Sequence, residues 1–299
     1  MIGDPVLRAK LGALLAGRAA VGTAPAREAL RPAPERVLVR GAEPLPGVVE
    51  NTDRGPIFVH EVRWTAADRG QDQVLAHLAE ARERLALLPE SDLVPDLLAL
   101  KRHAITSTLF LDLETGGLSG HPIFLAGFLM LRPGELHLRQ VLARTYLEEA
   151  ALIDEAERLI ARHPIVLTYN GKSFDLPMLA DRAVRHRIPF RPPAVHVDLL
   201  HHARRAFRRA VPNCRLVTLE WAICRRWRAR GVESRDIPGI FHRFAREGDP
   251  SELAQVLHHN AHDLLTLAEL LAHLIPHPPG PRLVLDSEAK PSFAFDHEG

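Results

Sequence analysis

The chain has 299 residues, of which 46% are hydrophobic and 25% are charged, and its formal net charge is +1. These values are ordinary for a soluble globular protein of one or two domains and exclude a disordered or collagen-like chain. No apolar run reaches the roughly 18 to 20 residues of a membrane helix, so we expect no membrane partner. Two cysteines without metal-type spacing, Cys214 and Cys224, exclude a disulfide scaffold and predict a reduced, cytoplasmic compartment.

Four segments follow one another along the chain. Residues 1–45 are rich in Ala, Pro, Arg and Gly without periodicity, which predicts a flexible N-terminal arm. The pattern of residues 46–104 indicates two short strands around a turn and then a Leu-rich helical stretch. We predict that this segment is a small extension that packs on the main domain. Residues 105–276 form the predicted main domain, and residues 277–299 a Pro-rich tail.

The main domain begins with three strand patterns, "TLFLDLET", "PIFLAGFLML" and "LHLRQVLA". Their short links permit only antiparallel neighbours, so we predict a meander. An amphipathic helix, the buried strand "IVLTY", a second helix and the strand "AVHVD" come next, and helices continue to about Leu274. This pattern predicts an α/β fold whose mixed five-stranded sheet, a meander plus two parallel strands, is flanked by helices, with the first strand central.

Positive charge is concentrated in residues 182–235, which contain 14 arginines, no lysine and three acids. The net charge of this block is +11, which leaves about −10 for the rest of the chain. Such a block is typical of a surface that binds a polyanion, and solvated helix faces are the alternative interpretation.

Two acids interrupt the first strand of the main domain. Asp112 and Glu114 alternate with apolar residues and therefore point to the same face of the sheet. Asp175 stands at a strand-to-helix junction, and Asp263 lies in a helix with a leucine stripe. Each acid alone could be a helix cap or a surface residue. Together they predict a cluster that needs hard divalent cations as counter-charge, with two Mg²⁺ or Mn²⁺ ions forming a phosphoryl-transfer site.

These motifs resemble the DEDD 3′–5′ exonucleases of the ribonuclease H-like superfamily, and more closely the YprB-type ribonuclease H-like family. The resembling segments are "FLDLETGGLSG", "YNGKSFDLPML", "NCRLVTLE", "DIPG" and "HHNAHDLLTL". The resemblance implies a ribonuclease H-like sheet and a two-metal site made by Asp112, Glu114, Asp175 and Asp263. It also implies that Thr115, Gly116, Gly117 and Leu118 receive the terminal nucleotide, and that Asn170 and Lys172 contact the substrate backbone.

Two features of the sequence depart from the family pattern, and one further acid lies outside the four predicted ligands. Gly116 stands where the family usually has a second Thr, and the turn after Gly120 is shorter by a residue or two. Relatives keep an acid at Asp198 outside the four ligands, so a structural role or a supporting contact to a ligand is expected there.

A histidine ahead of Asp263 is the candidate general base, and the chain offers His258 and His259. The His class of DEDD enzymes places its base five residues before the last Asp, and the Tyr class four. On a continuous helix, residues four apart face the same way and residues five apart do not, which favours His259. His258 is favoured if the helix starts or bends there. A zinc site at His258 and His262 is disfavoured, because neither a Cys partner nor a His-Glu-x-x-His pattern accompanies them.

We therefore predict a metal-dependent 3′–5′ exonuclease that hydrolyses single-stranded DNA or RNA from its 3′ end. Two alternatives remain open at this point. One is a non-catalytic nucleic-acid-binding module on the same fold, and the other is a structure-specific endonuclease.

Overall fold

The computed structural model describes residues 45–68, 70–117, 120–226 and 231–276. The predicted arm, apart from Leu45, and the predicted tail lie outside these residues, as does Leu118. Within the described residues, no helix combines the length and the apolar character needed to cross a membrane.

Seven strands and eight α-helices are formed by the described residues. The strands are β1 (Val48–Thr52), β2 (Gly55–Thr65), β3 (Thr108–Thr115), β4 (Ile123–Arg132), β5 (Glu135–Leu142), β6 (Ile165–Thr168) and β7 (Val195–Asp198). The helices are α1 (Gln71–Leu87), α2 (Pro95–Arg102), α3 (Glu149–Arg162), α4 (Asp175–Arg185), α5 (Leu199–Phe207), α6 (Leu216–Ala222), α7 (Ile237–Glu247) and α8 (Leu253–Leu274). Short 3₁₀ segments occupy Glu90–Asp92, Ile105–Ser107 and Tyr146–Glu148.

The strands form one mixed sheet in the order β1-β2-β5-β4-β3-β6-β7. The predicted α/β class, the antiparallel β3–β4–β5 meander and the parallel strands β6 and β7 are confirmed. The predicted count of five strands is wrong, because β2 pairs antiparallel with β5 and adds the β1–β2 hairpin to the sheet. The division of the chain at residue 104 stays a prediction.

Charged side chains explain why the hairpin joins this edge of the sheet. Arg139 on β5 donates to Glu50 on β1 at 2.7 Å and to Glu61 on β2 at 2.6 Å. Its Nε also donates to the buried Glu155 on α3 at 3.1 Å. A guanidinium shared by three carboxylates from three elements fixes the hairpin in register against β5, because its donors lie in a rigid plane.

Helices cover both faces of the sheet, and the alternation of side chains along β3 assigns each face. Leu109, Leu111 and Leu113 pack with α3 and α4 in one apolar cluster. Phe110 points the other way and packs in the cluster that contains α1 and α8. Since Asp112 follows Phe110 by two residues, Asp112 and Glu114 lie on the α8 face of the sheet.

Candidate active site

Asp112 is held by a row of residues that crosses four strands. In the sheet register Asp112 pairs with Gly127, Gly127 with Gln140, and Gln140 with His60. Asn260 of α8 lies over Gly127, where a Cβ would come within 2.0 Å of its side-chain oxygen. Only glycine leaves room for this approach.

Asn260 connects this row to the acid on β3. Its Nδ2 donates to the Asp112 carboxylate at 2.8 Å and to the Asp112 carbonyl at 3.2 Å. Its Oδ1 accepts from Gln140 Nε2 at 2.8 Å, and the same Nε2 also donates to the Leu257 carbonyl at 2.7 Å. Asn260 and Gln140 are fully buried. Neither was identified from the sequence, although Asn260 stands three residues before Asp263, a spacing that places both on one helix face.

The other three acids predicted from the sequence lie near enough to Asp112 to act on its charge. Loss of hydration, and then the charges of Asp263, Glu114 and Asp175, raise the pKa of Asp112 well above its usual range. Asp175, the first residue of α4, accepts a hydrogen bond from the Leu113 amide at 3.2 Å. Burial is the main cause that raises the pKa of Asp175 to about 7, against backbone hydrogen bonds that lower it.

This donor set fits hard divalent cations. It offers carboxylate oxygens only, and its members repel one another in a poorly hydrated place. Among the described residues, no three of these carboxylates bring one oxygen each within 4.8 Å of the others. The acids are therefore near enough to act on the charge of Asp112, but their oxygens are not packed together. Like charges without a counter-ion favour such a spacing.

The two candidate histidines occupy different environments, because α8 is continuous from Leu253 to Leu274. His259 Nε2 lies 3.3 Å from the Asp263 carboxylate. Its Nδ1 lies 3.1 Å from the Val232 carbonyl. His258 is exposed, and its ring packs edge-on against His262 with the centroids 4.3 Å apart. The structure thus places His259 beside the fourth acid, and His258 lines the same cavity as both of them.

The turn after β3 is built around its glycines. Thr115 Oγ1 donates to the Gly117 carbonyl at 2.6 Å, and the Gly116 amide donates to the Pro122 carbonyl at 2.9 Å. His242 of α7 lies against Gly116, with Nε2 2.9 Å from its carbonyl oxygen. A Cβ at Gly116 would approach His242 Cε1 to 3.2 Å, which accounts for glycine at this position. His242 was not identified from the sequence, because no local pattern links it to β3.

We expect Gly116→Ala to lower the free energy of unfolding by about 1 kcal/mol, because the His242 ring cannot move without losing a hydrogen bond. That ring is held on its other side too, where Tyr146 Oη lies 2.7 Å from His242 Nδ1. Urea unfolding of Gly116→Ala, His242→Ala and the double variant measures the coupling. The double variant should cost less than the sum of the single ones.

The matched control is Gly239→Ala on α7, whose new Cβ would meet Arg243 at an ordinary 3.6 Å. Alanine there should raise the stability by about 0.5 to 1 kcal/mol, as expected inside a helix. Strictly additive costs at Gly116 and His242 would contradict the proposed steric contact.

Asp198 organises the loop that carries the predicted backbone contacts. Its carboxylate accepts the amides of Asn170 at 2.8 Å and Lys172 at 3.0 Å, and that of Leu200 at 3.0 Å. Asn170 has a φ of 65°, and both Asn170 and Lys172 are exposed. Asp198 is therefore structural, as expected, and its charge is one of the causes that raise the pKa of Asp175.

A cavity of about 740 Å³ opens beside Asp263 and His259. Arg215 and Arg235, two exposed residues of the Arg-rich block, line it. The basic block thus reaches the acidic site on at least this side.

Comparisons with known proteins find similarities in sequence and in structure. A family profile described as the RNase_H superfamily matches residues 109–275. The uncharacterized protein YprB of Bacillus subtilis (strain 168) is 32% identical over 222 residues, which is 73% of this chain and 52% of YprB. The chain thus spans about half the length of this relative. A family B DNA polymerase from the hyperthermophilic archaeon Pyrobaculum calidifontis gives a TM-score of 0.46 at 15% identity, over 56% of this chain and 24% of the polymerase.

Proposed function

Because the chain belongs to the YprB-type ribonuclease H-like family, we propose that it is a metal-dependent nuclease that hydrolyses phosphodiester bonds of single-stranded DNA or RNA. The observation that supports this most is the electrostatic cluster around Asp112, whose pKa is raised by burial and by three further acids. A fold that gathers four carboxylates around one buried acid loses stability unless cations bind there.

Asp112, Glu114, Asp175 and Asp263 would hold two Mg²⁺ or Mn²⁺ ions. When bound, such ions supply charge stabilisation for the transferred phosphoryl group and activate water. The protein's own part is to place the acids: Asn260 orients Asp112, and the Leu113 amide orients Asp175.

His259 is the proposed general base. Its Nδ1 faces the Val232 carbonyl, so the neutral tautomer carries its proton on Nδ1 and leaves Nε2 as an acceptor. Nε2 lies 3.4 Å from the Ser234 hydroxyl and 3.3 Å from the Asp263 carboxylate, and since the carboxylate is also an acceptor, a donor such as water would bridge the two. In that arrangement Nε2 would take a proton from the water whose oxygen bonds to the phosphorus, while the bond from phosphorus to the 3′-oxygen of the shortened strand breaks. That oxygen would leave as an alkoxide, whose charge a bound cation would stabilise until it takes a proton from solvent.

The 3′–5′ direction of cleavage is the part of this proposal that depends on the turn beside the acids. Thr115, Gly116 and Gly117 follow Glu114 directly, and His242 closes one side of this turn. We propose that the turn receives a 3′-terminal nucleotide, with Leu118 next to it in the chain. Arg215 and Arg235 line the cavity beside Asp263 and would bind the phosphates of the incoming strand.

Digestion of matched DNA and RNA oligomers, each linear with a 3′ label and each as a closed circle, tests the proposal. With Mn²⁺ present, we expect linear strands to release labelled mononucleotides first and circles to remain intact. Cleaved circles would indicate an endonuclease instead. Salt-sensitive binding with no product from either form, with or without metal, would support a non-catalytic binding module.

A further inference from the structure

A second group of metal-type ligands lies away from the acidic site, where α1 packs against α8. Among the described residues, His77, Glu269 and His273 form the group of three His, Cys, Asp or Glu residues whose ligand atoms all lie within 4.8 Å of one another. Glu269 and His273 are four residues apart on α8 and therefore share one helix face. His77 reaches them from α1, which is also tied to α8 by a hydrogen bond from Arg84 to the Ala272 carbonyl at 2.8 Å.

The two histidines of this group contact the same carboxylate and leave one of its oxygens without a partner among the described residues. His77 Nδ1 and His273 Nε2, the latter at 3.4 Å, both approach the same oxygen of Glu269, Oε1. Glu269 is 2% exposed, and its other oxygen, Oε2, has no hydrogen-bond partner among the described residues. A carboxylate oxygen left without a partner in a buried place costs free energy, so a group that binds there is favoured.

The charges around Glu269 also favour a bound cation. The ion-pair partners of Glu269 among the described residues are these two histidines, and neither Lys nor Arg joins them. Burial raises the pKa of Glu269, but hydrogen bonds and charge from His273 and His77 outweigh it and lower that pKa, so the group presents a carboxylate anion. A divalent cation would balance the charge of this carboxylate.

We propose that His77, Glu269 and His273 bind one Zn²⁺ ion that links α1 to α8. Two imidazole nitrogens and one carboxylate oxygen are a donor set for zinc and related transition metals, whereas magnesium prefers oxygen ligands. The side chains of His77 and His273 remain 43% and 36% exposed, which leaves a path from solvent and room for a water ligand.

This site is distinct from the acidic one. Glu269 lies six positions after Asp263 on α8, which corresponds to about 9 Å along the helix and about 120° around it. The proposal therefore stands or falls independently of the nuclease activity.

Cobalt substitution tests the ligand set directly. Co²⁺ titrated into the full chain in the presence of millimolar Mg²⁺ should give intense visible bands typical of a low-coordinate, histidine-bound ion. A sulfur-to-cobalt charge-transfer band should not accompany them, because Cys224 is not in the ligand group. Zn²⁺ should abolish the visible bands by competition.

The matched variants are His77→Gln and His273→Gln, which change exposed side chains, with His163→Gln as the control. His163 Nδ1 contacts the Leu159 carbonyl, and among the described residues His163 belongs to no group of three metal-type ligands. We expect Zn²⁺ at about 100 times its Kd to raise the Tm of the parent and of His163→Gln by roughly 5 °C or more, and that of the two ligand variants by much less. The bound zinc per chain should fall by one in each ligand variant.

Equal Tm shifts and equal zinc content in the parent and in both ligand variants would overturn the proposal. Weak cobalt bands typical of oxygen ligands, unchanged by His77→Gln, would do the same. Loss of the visible bands in both histidine variants, with folding retained by circular dichroism, would support it.

Discussion

Asp112→Asn should abolish metal-dependent cleavage and, with the metal chelated, stabilise the protein. The lost carboxylate is the one that feels the charges of Asp263, Glu114 and Asp175 together. Because it is the common neighbour of the other three, we expect the rate to fall by about 10³-fold or more, about 4 kcal/mol of transition-state stabilisation. With EDTA present, removal of one buried like charge should raise the free energy of unfolding by about 1 kcal/mol.

Single-turnover cleavage of a 3′-labelled oligomer and urea unfolding in EDTA measure the two effects. The control is Asp181→Asn, a change of the same kind at an exposed position of α4, where Asp175 is the first residue. It should leave both quantities unchanged within about twofold and 0.5 kcal/mol. Full activity in Asp112→Asn would remove this residue from catalysis, and reduced stability in EDTA would show that its charge is not repelled in the folded state.

Local sequence patterns were sufficient for the strands that carry the acids. Alternation along "TLFLDLET" predicted that Asp112 and Glu114 share a face, and the structure places both on the α8 side of β3. Short links predicted the meander, because such links allow only antiparallel neighbours. Helical geometry favoured His259 over His258, and the continuous α8 brings His259 to Asp263.

Pairings between distant segments could not be predicted in the same way. The β1–β2 hairpin joins the sheet through β5, about 80 residues away in the chain, and the periodicity of a strand does not identify its neighbour. The same limit applies to Asn260, whose role depends on the missing side chain of Gly127, 133 positions earlier in the sequence. His242 fills the space beside Gly116 for a similar reason. Contacts of this kind depend on the folded arrangement of elements and leave no local pattern.

His259→Gln should lower the single-turnover rate by about 10²- to 10³-fold, whereas His258→Gln should change it by less than about threefold. General acid–base catalysis contributes this order of magnitude when a positioned side chain is removed. The two histidines are adjacent in sequence on α8, but their side chains point in different directions, His259 towards Asp263 and His258 towards His262. The pair is therefore a matched test of position at constant chemistry.

Two further measurements separate a catalytic base from a structural histidine. His259→Tyr, which restores the residue type that the Tyr class of DEDD enzymes uses, should recover much of the rate that His259→Gln loses. The parent rate should also fall on the acidic side, because an imidazolium cannot accept a proton, and this dependence should weaken in His259→Gln. If both glutamine variants lost the same fraction of the rate, or if His259→Gln kept the parent's loss of rate at acidic pH, the proton acceptor would be another group. His259 would then only orient Asp263.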